Sequence, residues 1–291
     1  MNLHEEHLIF TCRDGLSLFC RDFHDDSPAF RDREKTPVLC LPGLTRNSKD
    51  FIPLARRHGG RRRFVCPDFR GRGLSAWDPD PTRYHPTTYV EDMWELLARL
   101  DIPRVVIIGT SLGGLMAMLM ANLRSEAVAG IVLNDIGPEV NPLGLARVSG
   151  YVGRLSDVKD WDEATRQVRE VYEIALPDLD EDAWREYTGW QYREDGTGVP
   201  RLEYDPALGD TLRDRGGVPP DLWPLFEGLR GVPVLALRGT LSDILSQETF
   251  DRMRAVKPDT RAVLVPDRGH VPILNEPVCI RAMDAFLDEI E

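Results

Sequence analysis

Cysteine is sparse in this chain, lysine is nearly absent beside arginine, and positive charge is outnumbered. Each shortage excludes something. Asp and Glu number 48 against 36 Lys and Arg, giving a net charge of −12. A phosphate-binding surface needs the opposite balance, so no nucleic-acid partner is expected. The short basic run Arg61-Arg62-Arg63 does not change that, and it is expected to be a solvated loop end. The five cysteines are odd in number, and none are spaced as C-x-x-C. That argues against a disulfide framework and for buried thiols acting as small apolar groups. There is no H-E-x-x-H, no Cys/His cluster and no phosphate loop, so neither a metal nor a cofactor is expected. An uninterrupted membrane-length apolar run is also missing. Residues 105–123 come nearest, but Thr110, Ser111, Gly113 and Gly114 stand in the middle. The first half is β-branched and the second is Met, Leu and Ala, which fits a strand followed by a helix rather than a membrane span. The first residues are polar and acidic, unlike a secretory signal, and a cytoplasmic location is expected.

What is present is apolar material arranged for an α/β fold. The chain has 291 residues, of which 42% are hydrophobic, enough for a large core. Residues 8–12 and 17–23 flank Arg13-Asp14-Gly15, a D-G turn that predicts a hairpin. Short apolar runs follow at 38–41, 64–66, 104–108, 130–133, 234–237 and 262–265. Continuous runs of this length suit strands covered on both faces, as in a parallel sheet. Helical patterns lie between them at 88–100, 115–123, 249–256 and 278–290, and Thr88 with Glu91 has capping-box spacing. The expectation is an α/β doubly wound fold of eight mostly parallel strands after an antiparallel start. One region breaks the alternation. Residues 138–226 show no good strand and carry helical patterns at 158–176 and 179–192. This divides the chain into a core, 1–137 with 227–291, and an insertion, 138–226. Ligands of open α/β sheets bind outside the carboxyl ends of the strands, where connections emerge. The insertion is therefore expected to form a lid, with Leu143, Leu145 and Val148 among the substrate-binding residues. A peripheral helical subdomain is the competing reading.

The most informative stretch is Gly109-Thr110-Ser111-Leu112-Gly113-Gly114, between a β-branched run and a run of helix formers. The bare G-x-S-x-G pattern is weak evidence. In a strand–turn–helix setting it is a nucleophile elbow. The turn brings backbone so close to its neighbours that Gly109 and Gly113 can carry no Cβ. The Ser111 hydroxyl would then project at a helix N-terminus, where free N–H groups favour negative charge.

A Ser hydroxyl needs a base, and the base needs an orienting acid, here in the chain order Ser, Asp or Glu, His. Downstream of Ser111, His270 stands alone among the histidines, in a loop after the last strand. Two aspartates compete for the acid. Asp243 follows the strand after the insertion and is the expected choice; Asp135 follows the strand at 130–133. An oxyanion hole needs two donors. The Leu112 N–H, directly after the nucleophile, supplies one. The Leu44 N–H, in the loop Leu41-Pro42-Gly43-Leu44-Thr45, is the second candidate. Asp68-Phe69-Arg70-Gly71-Arg72-Gly73 is expected to be structural, with Arg70 and Arg72 in ion pairs.

Together, Leu-Pro-Gly-Leu, Asp-Phe-Arg-Gly-Arg-Gly-Leu-Ser, Gly-Thr-Ser-Leu-Gly-Gly, the insertion, Asp243 and Gly269-His270 resemble the α/β-hydrolase fold family along the whole chain. The likeness is to its serine esterase and lactonase members with a helical cap. Ser at position 111 argues against branches whose nucleophile is a carboxylate. Pro42-Gly43 stands where many relatives carry His-Gly, so a polar contact from that side chain is absent. The resemblance implies a cofactor-free serine hydrolase acting on a small-molecule carboxylic ester, thioester or lactone. C–C bond hydrolysis and acyl transfer would use the same triad. A non-catalytic binding protein of the same fold is the alternative from another class.

Overall fold

A computed structural model describes residues 3–25, 27, 35–213 and 221–290. Its main sheet has eight strands: β1 (Leu3–Thr11), β2 (Ser17–Asp25), β3 (Val38–Leu41), β4 (Phe64–Pro67), β5 (Val105–Thr110), β6 (Val128–Asn134), β9 (Val234–Gly239) and β10 (Arg261–Val265). The spatial order is β1-β2-β4-β3-β5-β6-β9-β10. The β1–β2 hairpin is antiparallel, with Thr11 opposite Ser17 across the D-G turn. Strands β4, β3, β5, β6, β9 and β10 run parallel to one another. Every residue of β3, β5 and β6 is buried. That is why these strands read as unbroken apolar runs: helices cover both faces and no face is left for polar side chains.

The core helices are α1 (Ile52–His58), α2 (Pro86–Arg99), α3 (Leu112–Leu123), α9 (Gln247–Val256) and α10 (Pro277–Asp288). Between β6 and β9 lie α4 (Pro142–Tyr151), α5 (Trp161–Tyr172), α6 (Glu181–Gly189), α7 (Leu208–Arg213) and α8 (Trp223–Glu227). This stretch also holds a small hairpin, β7 (Tyr192–Glu194) with β8 (Pro200–Leu202), where the sequence reading expected no strand. Three residues a side, half of them exposed, give too short a pattern to register as alternation. The insertion has its own core of Trp184, Tyr187, Leu176 and Val168.

Three local readings are corrected by the contacts. The capping box at Thr88 does not form: α2 begins earlier, and the His85 ring accepts from the Thr87 amide as its cap. Pro86 at the first helical position sets that start. Arg62 is not solvated. It is buried and donates to the carbonyls of Thr36, Leu287 and Ile290, tying the last helix to the start of β3. Arg63 forks onto the buried Asp22. Arg70 is ion-paired as expected, with Asp92, Asp78 and Asp14 around one buried guanidinium. Arg72 is different. Its Nε donates to the Leu44 carbonyl at 2.8 Å, and it bonds the Arg70 carbonyl and the Tyr89 hydroxyl. Its guanidinium lies 4.8 Å from the Tyr89 ring centroid. Arg72 thus grips the loop that carries the expected oxyanion donor. All five cysteines are free and buried. Among the described residues no helix is long and apolar enough to cross a membrane.

Candidate active site

Strand β5 ends at Thr110, and α3 begins at Leu112. The single residue between them, Ser111, has φ 51° and ψ −114°, a left-handed backbone costly for a residue with a Cβ. The glycines make this turn possible. A Cβ on Gly109 would sit 2.4 Å from the Gly113 carbonyl, and one on Gly113 would sit 2.1 Å from the Leu41 carbonyl oxygen. Both distances are far inside van der Waals contact, so the spacing of the motif is a packing requirement.

The Ser111 hydroxyl is 2.9 Å from His270 Nε2. On the other side of the ring, Nδ1 is 2.7 Å from Asp135 Oδ2. A carboxylate only accepts, so Nδ1 carries the proton and Nε2 is left to accept from the serine. Asp135 is fully buried, and its carboxylate takes two further bonds. The Gly239 amide donates to Oδ1 at 2.9 Å and the Ser242 hydroxyl to Oδ2 at 2.6 Å.

The acid beside His270 is therefore Asp135 and not the expected Asp243. The reason is where each aspartate leaves its strand. Asp135 directly follows β6, whose last residue Asn134 pairs in register with Thr110 of β5. The Ser111 amide donates to the Asn134 carbonyl at 3.0 Å. Asp135 is thus beside Ser111 by sheet register alone. Asp243 lies beyond the end of β9, and Arg147 of α4 holds it in a fork, Nε to Oδ2 at 2.5 Å and Nη2 to Oδ1 at 2.9 Å. Partial burial would raise its pKa, but the Arg147 pairing outweighs that and holds it below the usual carboxylate range. Gly144 of α4 packs so tightly on this loop that a Cβ there would lie 2.1 Å from the Asp243 carbonyl oxygen. The loop is thereby committed to the insertion.

His270 itself is steadied from the insertion. The Gly269 amide donates to the Ala175 carbonyl at 2.8 Å. Arg268 reaches Asp178 at 2.5 Å and Glu276 at 2.8 Å. A Cβ on Gly269 would fall 2.7 Å from Ala175 Cα, which explains the glycine before the histidine.

A cavity of about 250 Å³ opens over this constellation. Its walls come from both parts of the chain: Gly43, Leu44, Ser111, Leu112 and His270 from the core, and Leu145, Val148, Tyr151, Tyr172 and Tyr187 from the insertion. Burial pushes the phenols of Tyr151 and Tyr187 above their ordinary values, so both stay protonated. Leu145 and Val148 lie on the wall as expected, but Leu143 does not. It is 81% exposed, because a helix turns through about 200° between positions 143 and 145. The tryptophans of the insertion do not line the cavity; tyrosines supply the aromatic surface instead. Leu44 and Leu112 both line it. The Leu112 N–H opens α3 and has no partner within the helix. Among the described residues, one group could gather a metal ion: Glu6, Asp22 and His24 on the β1–β2 hairpin. None of the three lines the cavity, and Asp22 is paired with Arg63.

Residues 38–281 match the model of the alpha/beta hydrolase family. The chain belongs to the alpha/beta hydrolase family. It is 34% identical to a 3-hydroxybutyrate-oligomer hydrolase of Cupriavidus necator, over 86% of this chain and 87% of that one. It is 27% identical to a 2-(acetamidomethylene)succinate hydrolase of Mesorhizobium japonicum, over 89% and 90% of the two chains. The crystal structure of an alpha/beta hydrolase from Novosphingobium aromaticivorans superposes along the full length of both chains, with a TM-score of 0.91 and 40% identity. Within this alpha/beta hydrolase, sequence reasoning missed Arg46, Arg147 and the cavity tyrosines. No catalytic motif marks them, and only the tertiary packing brings them to the site.

Proposed function

We propose that this chain is a serine hydrolase of small carboxylic esters, thioesters included, with Ser111 as nucleophile, His270 as general base and acid, and Asp135 as its orienting partner. The observation that carries the reading is the continuous Ser111–His270–Asp135 hydrogen-bond chain on the wall of an apolar cavity. The chemistry follows from the geometry. Nε2 takes the serine proton as Oγ bonds to the carbonyl carbon, and the Asp135 carboxylate stabilises the resulting imidazolium. The Leu44 and Leu112 N–H groups are the oxyanion donors, with Arg72 fixing the Leu44 peptide from its carbonyl side. The C–O bond breaks, the alcohol leaves with the proton from Nε2, and water deprotonated by the same nitrogen releases the acid. The relative named for 3-hydroxybutyrate oligomers adds weight to ester chemistry, since such oligomers are chains of ester bonds.

A fluorophosphonate probe tests this directly. It is expected to label Ser111 stoichiometrically, as read by peptide mass spectrometry, and the protein is expected to turn over p-nitrophenyl esters of short acyl chains. A folded protein that is neither labelled nor active on any ester in the panel excludes the reading.

The insertion, 138–226, acts in this proposal as a cap whose α4 face shapes the acyl site. Val148→Ala or Leu145→Ala is expected to change the ranking of acyl chain lengths, by roughly 10-fold in relative kcat/KM per lost contact. Leu143→Ala, on the solvent face, is expected to leave the ranking as it is. If the two wall variants keep the wild-type ranking, the cap does not select the substrate.

A further inference from the structure

Arg46 is the single Arg, Lys, Asp or Glu among the described residues lining the cavity. It stands three residues after Gly43, on the loop that carries Leu44. Its Cγ and the Ser111 Cβ lie 3.5 and 3.9 Å from the point a Gly43 Cβ would occupy, so the arginine stem runs beside the nucleophile. The side chain is more than nine-tenths buried. Burial opposes its charge, but Asp50 more than compensates and raises its pKa above the ordinary value. Nε and Nη2 both donate to the Asp50 carboxylate, and the guanidinium lies 4.5 Å from the Tyr187 ring centroid. Nη1 has no hydrogen-bond partner among the described residues.

A buried donor left unpaired is costly, and this one belongs to a residue on the wall of the reaction cavity. The charge arithmetic decides what it suits. Asp50 already neutralises Arg46, and no other fixed charge among the described lining residues remains to offset an anion. A carboxylate brought in would be a buried charge without a counter-charge. An uncharged oxygen would accept the same hydrogen bond without that cost. The acyl chain is the part of an ester that stays attached to Ser111 through the intermediate, and so stays beside Arg46.

We propose that Nη1 of Arg46 donates to an uncharged oxygen on the substrate's acyl chain, making the preferred substrates esters of hydroxy, oxo or acyloxy acids. Arg46 is then a specificity-determining residue. This rests on the ester-hydrolase reading above and narrows its substrate class. The rival role is purely structural: Arg46 also borders a void of about 20 Å³ beside Asn134 and Trp190, large enough for one water.

The test compares p-nitrophenyl esters of 3-hydroxybutanoate, in each enantiomer, with 3-methylbutanoate, where a methyl replaces the hydroxyl, and with the anionic succinate half-ester. In the wild type, kcat/KM for one hydroxy enantiomer is expected to exceed that for the methyl isostere by roughly 10- to 100-fold, the range for a hydrogen bond from a charged donor. It is also expected to exceed that for the half-ester. In Arg46→Met combined with Asp50→Asn, which leaves no buried carboxylate without its partner, the hydroxy-to-methyl ratio is expected to fall to near one. A wild-type ratio near one, a half-ester that is the best substrate, or a ratio that survives in the folded double variant would each overturn the proposal. The wild-type comparison decides even if the double variant does not fold. p-Nitrophenyl acetate separates the two levels. Its turnover with a flat acyl preference sinks the Arg46 role alone, whereas inactivity on every ester sinks the ester-hydrolase reading beneath it.

Discussion

Ser111→Ala is expected to lower ester turnover by about 10⁴-fold or more while leaving the fold in place. The prediction is sharp because of where the residue sits. Its backbone is held at φ 51° by glycine packing on both sides, and alanine adopts that conformation no less readily than serine. The substitution therefore removes one oxygen and little else. Circular dichroism and thermal melting establish the fold, and the rate on p-nitrophenyl acetate gives the effect. Wild-type turnover by a folded Ser111→Ala protein would falsify the nucleophile assignment.

The second large effect separates the two aspartates. Asp135→Asn is expected to cost roughly 10²- to 10⁴-fold in kcat. The carboxylate at 135 faces three donors at once: the Gly239 amide, the Ser242 hydroxyl and His270 Nδ1–H. An amide side chain has only one accepting oxygen. It must turn its NH₂ toward one or more of these groups, and turning it to Nδ1 puts the imidazole in the tautomer that cannot accept from Ser111. Asp243→Asn breaks the fork to Arg147, which is a contact of the cap, and is expected to cost much less. Measuring kcat for both variants on one small ester settles the assignment. A larger loss at Asp243 than at Asp135 would return the role to Asp243.

The choice between these aspartates also shows where sequence reasoning reached its limit. The elbow, the histidine and the eight strands were legible because each rests on local chemistry. Gly109 and Gly113 mark the tight turn, His270 has no competitor downstream, the D-G turn marks the β1–β2 hairpin, and the buried central strands show as apolar runs. Both aspartates satisfy the chain order Ser, Asp, His, and both follow strands. What separates them is the pairing of Thr110 with Asn134 and the capture of Asp243 by Arg147, which are tertiary facts. The same holds elsewhere. Helix α1 (Ile52–His58) was not anticipated, because its sequence, Ile-Pro-Leu-Ala-Arg-Arg-His, is too short to show a period. Leu143 looked like a pocket residue because it is apolar, but the helix phase turns it to solvent. Arg46 stands in a loop with no motif around it, and nothing local tells that it is enclosed.

The attachment of the three groups of the proposed triad is unequal, and this bears on how the site can come apart. Ser111 and Asp135 hang from adjacent strands at the centre of the sheet and are joined through the Ser111 amide and the Asn134 carbonyl. Separating them requires opening the sheet. His270 arrives from β10, the outermost strand on its side, on a loop tied to the insertion through Ala175 and Asp178. Proteins open locally at a far lower free energy than they unfold globally. Loosening the insertion would release the Ala175 and Asp178 contacts of the His270 loop, whereas Ser111 and Asp135 would stay joined through the paired strands. The insertion is thus a clasp on the His270 loop, and releasing that clasp would part His270 from Ser111 while the central strands stay paired.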